Sequence, residues 1–159
     1  MRTLFDILLS WAVTLSGYPP PGVVPEVTPI PPAELHQRVC KGEPCAALAM
    51  LLPDEDRILV DERLNLEQDT EAQGLLVHEF VHFLQRRAGK MDRTDMSCEE
   101  RMSLEREAYI VQARFAAEHG SGSQTAAAAL ELLPRVCAKP GAVPAMGGMP
   151  HSPLQPGSP

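Results

Sequence analysis

The sequence has little positive charge and no block of basic residues. Its 14 Lys and Arg are outnumbered by 21 Asp and Glu, and the net charge of −7 is spread over both halves of the chain. This balance argues against nucleic acid as a partner. No apolar run is long enough to cross a bilayer as a helix, no two cysteines have the C-x-x-C spacing of a zinc site, and no internal repeat is present. Local motifs therefore carry the functional information.

Proline, in contrast, is abundant and clustered. The 16 prolines are concentrated at positions 19–32 and 134–159. Each ring fixes φ and disfavours helix at the residue before it, so these clusters predict an extended arm and a loose tail. The remaining length is enough for a single hydrophobic core. We predict one domain over residues 1–138 and a disordered Pro/Gly-rich tail over residues 139–159.

Residues 1–17 allow two interpretations. An apolar stretch from Ile7 to Val13, followed by a small-x-small site at 14–16, fits a signal peptide. However, polar residues recur every three or four positions with apolar residues opposite, which is typical of an amphipathic helix. The polar positions are Thr3, Asp6, Ser10, Thr14 and Gly17. We favour a helix that packs on the domain and keep the signal peptide as the alternative.

The rest of the chain predicts a mostly helical α+β domain with a short antiparallel hairpin. Helix and strand signals predict a short helix from Pro32 to Cys40, a hairpin with arms 46–52 and 57–61, and longer helices at 71–88, 98–120 and 124–136. Two capping boxes are expected at the starts of the first two long helices. They pair Thr70 with Gln73 and Ser97 with Glu100.

The four cysteines fit two disulfides. Cys40 and Cys45 would close a short turn, and Cys98 with Cys137 would join the start of one helix to the end of another. Four buried free thiols are the alternative. Paired cysteines and the proline-rich tail favour an extracytoplasmic location, secreted or periplasmic, whereas an amphipathic first helix argues against a cleavable export signal.

The strongest motif is H-E-x-x-H, formed by His78, Glu79 and His82 inside an apolar run at 74–85. Two residues four positions apart lie on the same face of an α-helix, so both imidazoles can bind one metal ion. Glu79 lies about 100° around the helix from His78, close enough to reach a water molecule bound to that metal. The motif therefore predicts a zinc site.

A zinc site needs a third protein ligand. The three-histidine form, H-E-x-x-H-x-x-G-x-x-H, does not apply, because Gln85 and Ala88 occupy the Gly and His positions. A downstream carboxylate is the other solution, and Glu105 on the next helix provides it. The small Ala108 on the same face would let the two helices approach closely. Glu107 is the alternative ligand, although it points about 200° away from Glu105 on the helix.

H-E-x-x-H followed by E-x-x-A on the next helix resembles the gluzincin branch of the zinc-dependent metallopeptidases in a minimal form. The wider pattern adds Gln85, Cys98 and Gln112, and it is similar to small, uncharacterised zincin-like domains of bacteria. The motifs span residues 78–112, and the likeness is expected to extend over residues 1–138.

The resemblance implies a small zincin-like domain in which His78, His82 and Glu105 bind Zn²⁺ and Glu79 is catalytic. One departure concerns the residue after E-x-x-A, which is Asp in many relatives and is Tyr109 here. In those relatives this Asp is often an outer partner of the metal site, and Tyr109 departs from that pattern.

These residues predict hydrolysis of a peptide bond in a peptide or protein substrate. Zinc would polarise the scissile carbonyl and activate water, and Glu79 would pass the water's proton to the leaving amine. Tyr109, one turn beyond Glu105, is the first candidate for the oxyanion donor, followed by His36 and His119. Two other hypotheses stay open: a non-catalytic zinc-bound interaction domain, and a helical protein without metal.

Overall fold

A computed structural model describes residues 1–43, 45–91 and 94–138, and the tail predicted at 139–159 lies outside the described residues. The elements confirm a mostly helical α+β fold. In chain order they are α1 (Leu4–Ser16), β1 (Glu26–Ile30), α2 (Pro32–Cys40), β2 (Ala49–Leu51), β3 (Arg57–Asp61), α3 (Thr70–Arg87), α4 (Cys98–Glu118) and α5 (Gln124–Val136). No helix in these ranges is both long enough and apolar enough to cross a bilayer.

The sheet has the strand order β1-β3-β2. β2 and β3 form the predicted antiparallel hairpin, although the first arm is shorter than the predicted range 46–52. β1 pairs with β3 in parallel, a pairing that the sequence did not indicate, because residues 19–32 predicted only an extended arm. Pro29 is compatible with β1 because β1 is an edge strand, where a proline need not interrupt the hydrogen bonds of a central strand.

α1 is a capped helix that packs on the core, as the helix interpretation of residues 1–17 expects. Thr3 and Asp6 form a capping box at its start, with the Asp6 amide donating to the Thr3 hydroxyl at 3.2 Å and the Thr3 amide donating to the Asp6 carboxylate at 2.7 Å. Leu8, Leu9 and Ala12 are buried in the main apolar cluster with residues of α3 and α4. Apolar burial of this face holds α1 on the domain.

α3 is the central helix, and its side chains are buried on nearly all sides between Ala72 and Gln85. The predicted capping box of Thr70 and Gln73 is wrong, because Thr70 is already the first residue of the helix. Asp69 caps the helix by accepting from the Glu71 amide at 2.9 Å, since Asp is as good a cap as Thr. The second predicted capping box, at the start of α4, is confirmed.

α3 and α4 pack closely, and their contact sets the position of the site. At Gly74 of α3, an added Cβ would lie 3.4 Å from Cγ of Gln112 on α4, which is van der Waals contact and shows how near the two helices are at this point. The same interface brings Gln85, near the end of α3, against Leu104 in the first half of α4. The two helices are therefore antiparallel neighbours whose inner faces meet along several turns.

Both predicted disulfides, Cys40–Cys45 and Cys98–Cys137, are formed, so the alternative of four free thiols is not supported. The second joins the start of α4 to the end of α5 across 39 residues, whereas the first closes a segment of 5.

The two disulfides are expected to stabilise the fold unequally, because a cross-link restricts the unfolded chain more when its loop is longer. We expect the double variant Cys98→Ala/Cys137→Ala to lose ~4 kcal/mol of unfolding free energy, against ~2 kcal/mol for Cys40→Ala/Cys45→Ala. Urea unfolding of both double variants measures the difference, and equal losses would contradict it.

Candidate metal centre

The two predicted histidines and one glutamate converge on a single point between α3 and α4. His78 and His82 lie one turn apart on α3, and their Nε2 atoms are 3.0 Å apart. Glu105 on α4 faces both, with Oε1 3.2 Å from Nε2 of His82 and Oε2 3.4 Å from Nε2 of His78. All three side chains are 1 % exposed. These residues form a group that can hold one metal ion.

The candidate ligand atoms lie at distances close to those around a tetrahedral zinc ion. Ligand atoms at 2.0–2.1 Å from zinc in that geometry lie roughly 3.3 Å from one another. The two Nε2 atoms are 3.0 Å apart, and each has a different Glu105 oxygen near that distance: Oε1 at 3.2 Å from His82 and Oε2 at 3.4 Å from His78. Two imidazole nitrogens and one carboxylate also leave a fourth position for a non-protein ligand, which is the arrangement of catalytic zinc sites.

The group is a tightly coupled set of charges. Burial raises the pKa of Glu105, but the positive charges of His82 and His78 hold it well below its usual range. Burial lowers the pKa of His82, and the carboxylate of Glu105 more than offsets this, raising the pKa to about 9. The Glu105 carboxylate therefore favours the form of His82 that carries a proton on both ring nitrogens when no metal is bound. A metal ion must displace the proton on Nε2, since metal ligation and protonation compete for that atom.

Glu79 lies next to this group, on the side of the sheet. One of its carboxylate oxygens, Oε2, accepts a hydrogen bond from the Leu51 amide of β2 at 3.0 Å, and the side chain is fully buried. The negative charge of Glu79 also contributes to the raised pKa of His82, which reflects how near the two residues are. A carboxylate is thus held beside the ligand group by the backbone of an edge strand.

Tyr109 lies on the same face of α4 as Glu105, one turn further on. Its ring packs edge-on against the ring of His78, with centroids 4.3 Å apart. Burial, together with the charges of Glu105 and Glu79, raises the pKa of Tyr109, so the hydroxyl keeps its proton at neutral pH. The structure therefore brings Tyr109 to the ligand group as a neutral side chain, and its role as an oxyanion donor stays a prediction.

The two weaker candidates for that role lie elsewhere. His119, at the end of α4, packs against Trp11 and Phe115, roughly 20 Å along the helix from Glu105. His36 is on α2, on the side of Asp61 at the end of β3. Neither ring is part of the ligand group.

Glu107, the alternative carboxylate ligand, points away from the two histidines. Its Oε2 accepts hydrogen bonds from the hydroxyl of Tyr18 at 3.0 Å and from the amide of Gln85 at 3.3 Å. The described structure thus places Glu105, and not Glu107, among the residues that can hold a metal ion.

Sequence reasoning missed the role of Gln85, which it noted only at the Gly position of the three-histidine form and as part of the wider pattern. Its Oε1 lies 2.8 Å from Nδ1 of His82, so it is the hydrogen-bond partner of a candidate ligand, on the ring nitrogen opposite the one that faces His78 and Glu105. A signal was present in the sequence, because residues three apart on a helix are neighbours and Gln85 follows His82 by three positions. Its hydrogen-bond partners on α4 depend on how the two helices pack, which the sequence does not specify.

The fold and the site together define a buried two-histidine, one-glutamate centre on two packed helices that can hold a metal ion. No protein-family model, curated protein or solved structure matches this chain. The likeness to gluzincins therefore rests on the motif residues alone.

Proposed function

We propose that this chain is a zinc-dependent peptidase in which His78, His82 and Glu105 hold Zn²⁺ and Glu79 acts as the general base. The observation that carries the proposal is a group of two imidazoles and one carboxylate whose ligand atoms lie within 4.8 Å of one another, beside the buried carboxylate of Glu79. The H-E-x-x-H motif supplies two of the metal ligands and the general base from about one turn of α3.

Zinc, when bound, lowers the pKa of a coordinated water toward about 7 and polarises a carbonyl oxygen. Glu79 accepts the proton of the attacking water and delivers it to the leaving amine. The hydrogen bond from Leu51 to Oε2 fixes the orientation of the carboxylate for this transfer. Tyr109, which keeps its proton, is the candidate donor to the developing oxyanion.

The edge of the sheet offers a place for a peptide substrate. β2 is the outer strand on the side of Glu79, and its outer edge has no strand partner within the described sheet. The Leu51 amide at this edge already donates to Glu79, so an extended peptide would pair with the remaining outward groups of β2 and run beside that carboxylate. We infer peptide or protein substrates from this placement.

The two disulfides support an oxidising compartment. All four cysteines of the chain are paired, and such bonds persist mainly in secreted, periplasmic or other extracytoplasmic proteins. We therefore propose that the protein works outside the cytoplasm.

Burial of the site favours a second candidate function, a non-catalytic zinc-bound interaction domain. Structural zinc sites are closed, whereas catalytic sites keep one position open to water and substrate. Here the three ligands are 1 % exposed and Glu79 is fully buried. In this alternative the ion ties α3 to α4, and a surface of the domain binds a partner.

Metal analysis combined with digestion of a peptide library separates these functions. We expect the purified protein to hold one zinc per chain, to cleave peptides, to lose cleavage when a chelator removes the zinc, and to regain it when zinc is restored. Stoichiometric zinc without any cleavage would favour the interaction domain. Substoichiometric zinc that is unaltered in His78→Ala would rule out a metal site altogether.

A further inference from the structure

Gln85 connects a metal-binding histidine on α3 to the backbone of α4. It is completely buried, and its amide group has three polar contacts. Oε1 lies 2.8 Å from Nδ1 of His82, and Nε2 donates to the carbonyl oxygen of Leu104 at 3.0 Å and to Oε2 of Glu107 at 3.3 Å.

These contacts determine the orientation of the Gln85 side-chain amide, that is, which side carries the oxygen and which the nitrogen. A backbone carbonyl can only accept a hydrogen bond, so the NH₂ side of Gln85 must face Leu104. The Glu107 carboxylate is on the same side and is also an acceptor, which reinforces this orientation. The amide oxygen must then face His82, and the hydrogen bond at 2.8 Å requires a proton on Nδ1.

The position of this proton decides which nitrogen can bind metal. A neutral imidazole that carries its proton on Nδ1 has its lone pair on Nε2. Nε2 of His82 is the atom that lies 3.0 Å from Nε2 of His78 and 3.2 Å from Oε1 of Glu105. The opposite tautomer would aim a hydrogen at the point where the three ligands converge.

We propose that Gln85 is the positioning residue of the metal centre. Through its amide, the carbonyl of Leu104 holds His82 in the tautomer and ring orientation that present Nε2 to the ion. The inference rests on the metal site of the proposed function. Leu104 directly precedes Glu105, so a single turn of α4 supplies one ligand and orients another.

The same geometry explains why this position holds an amide and not a carboxylate. A glutamate at position 85 would accept from His82 equally well, but it would place a negative oxygen against the Leu104 carbonyl and Glu107. Glu107 is held in turn by the hydroxyl of Tyr18, which accepts from the exposed Lys90 at 2.9 Å. The hydrogen-bonded chain therefore runs from the surface to His82.

Comparison of Gln85→Met with Gln112→Met tests the proposal. Both residues are fully buried glutamines of the α3–α4 interface, but the Gln112 amide donates to the hydroxyl of Ser123 and not to a metal ligand. Methionine keeps the unbranched shape and removes the amide. We expect Gln85→Met to bind zinc roughly 10–100-fold more weakly in competition with a chelator, and Gln112→Met to bind it as wild type does. Equal affinities for all three proteins would overturn the proposal.

Proton NMR of protein labelled with ¹⁵N at histidine supplies a second measurement. We expect the wild type to show a proton on Nδ1 of His82 that exchanges slowly with water, with and without zinc, and Gln85→Met to lose that protection. Rapid exchange of this proton in the wild type would overturn the proposal even if the variant failed to fold. If the wild type bound no zinc, the proposed function would fail, whereas this signal would still report whether Gln85 fixes the proton on Nδ1.

Discussion

Glu79→Gln is expected to lower kcat/KM for peptide cleavage by roughly 10²–10⁴-fold, the usual contribution of a general base, without loss of bound zinc. The amide of glutamine cannot take up the water's proton. It does keep an oxygen that can accept from the Leu51 amide, the 3.0 Å bond that ties α3 to β2, so the site should stay assembled. Cleavage of the best library peptide and zinc content, measured on the same samples, check both parts.

A matched control for this variant is Glu71→Gln, on the same helix. Glu71 lies in the first turn of α3 and accepts from the hydroxyl of Ser123, away from the ligand group. The amide oxygen can replace that acceptor, so we expect near wild-type cleavage. Equal cleavage by wild type and Glu79→Gln would rule out the general-base mechanism.

The parts of the site that the sequence predicted are those that depend on local helix geometry. The positions of His78 and His82 on one face follow from a spacing of four, and α3 itself follows from its apolar pattern, although its predicted N-terminal cap was wrong. Glu105 required one further step, the need for a third ligand on a neighbouring helix, and the structure places it in the group with both histidines.

The parts that the sequence did not predict depend on contacts between distant segments. The parallel pairing of β1 with β3 joins residues about thirty positions apart, and nothing within residues 19–32 specifies that partner. Gln85 shows the same limit at the site. Its position beside His82 is local, but the carbonyl of Leu104 and the carboxylate of Glu107 become its partners only when α3 packs on α4.

Glu105→Gln is expected to weaken zinc binding more than ~100-fold, beyond the 10–100-fold typical for loss of an outer partner, because it removes a ligand itself. It also removes the negative charge that faces both imidazoles at 3.2 and 3.4 Å and offsets the charge of the ion. Glutamine keeps the size of the side chain, so packing between α3 and α4 should change little. Competition with a chelator measures the affinity, and thermal unfolding of the zinc-free proteins shows whether the fold is kept.

Glu107→Gln is the matched control, because Glu107 lies on the same helix two residues further on and was the alternative ligand. Its Oε2 accepts from Tyr18 and Gln85, and an amide oxygen can serve both donors, so zinc affinity should stay within a few-fold of wild type. The two variants carry the same chemical change at neighbouring positions, and only one of them alters an atom that faces the histidines. A large loss in Glu107→Gln with none in Glu105→Gln would assign the third ligand to Glu107 and require α4 to turn by about half a revolution.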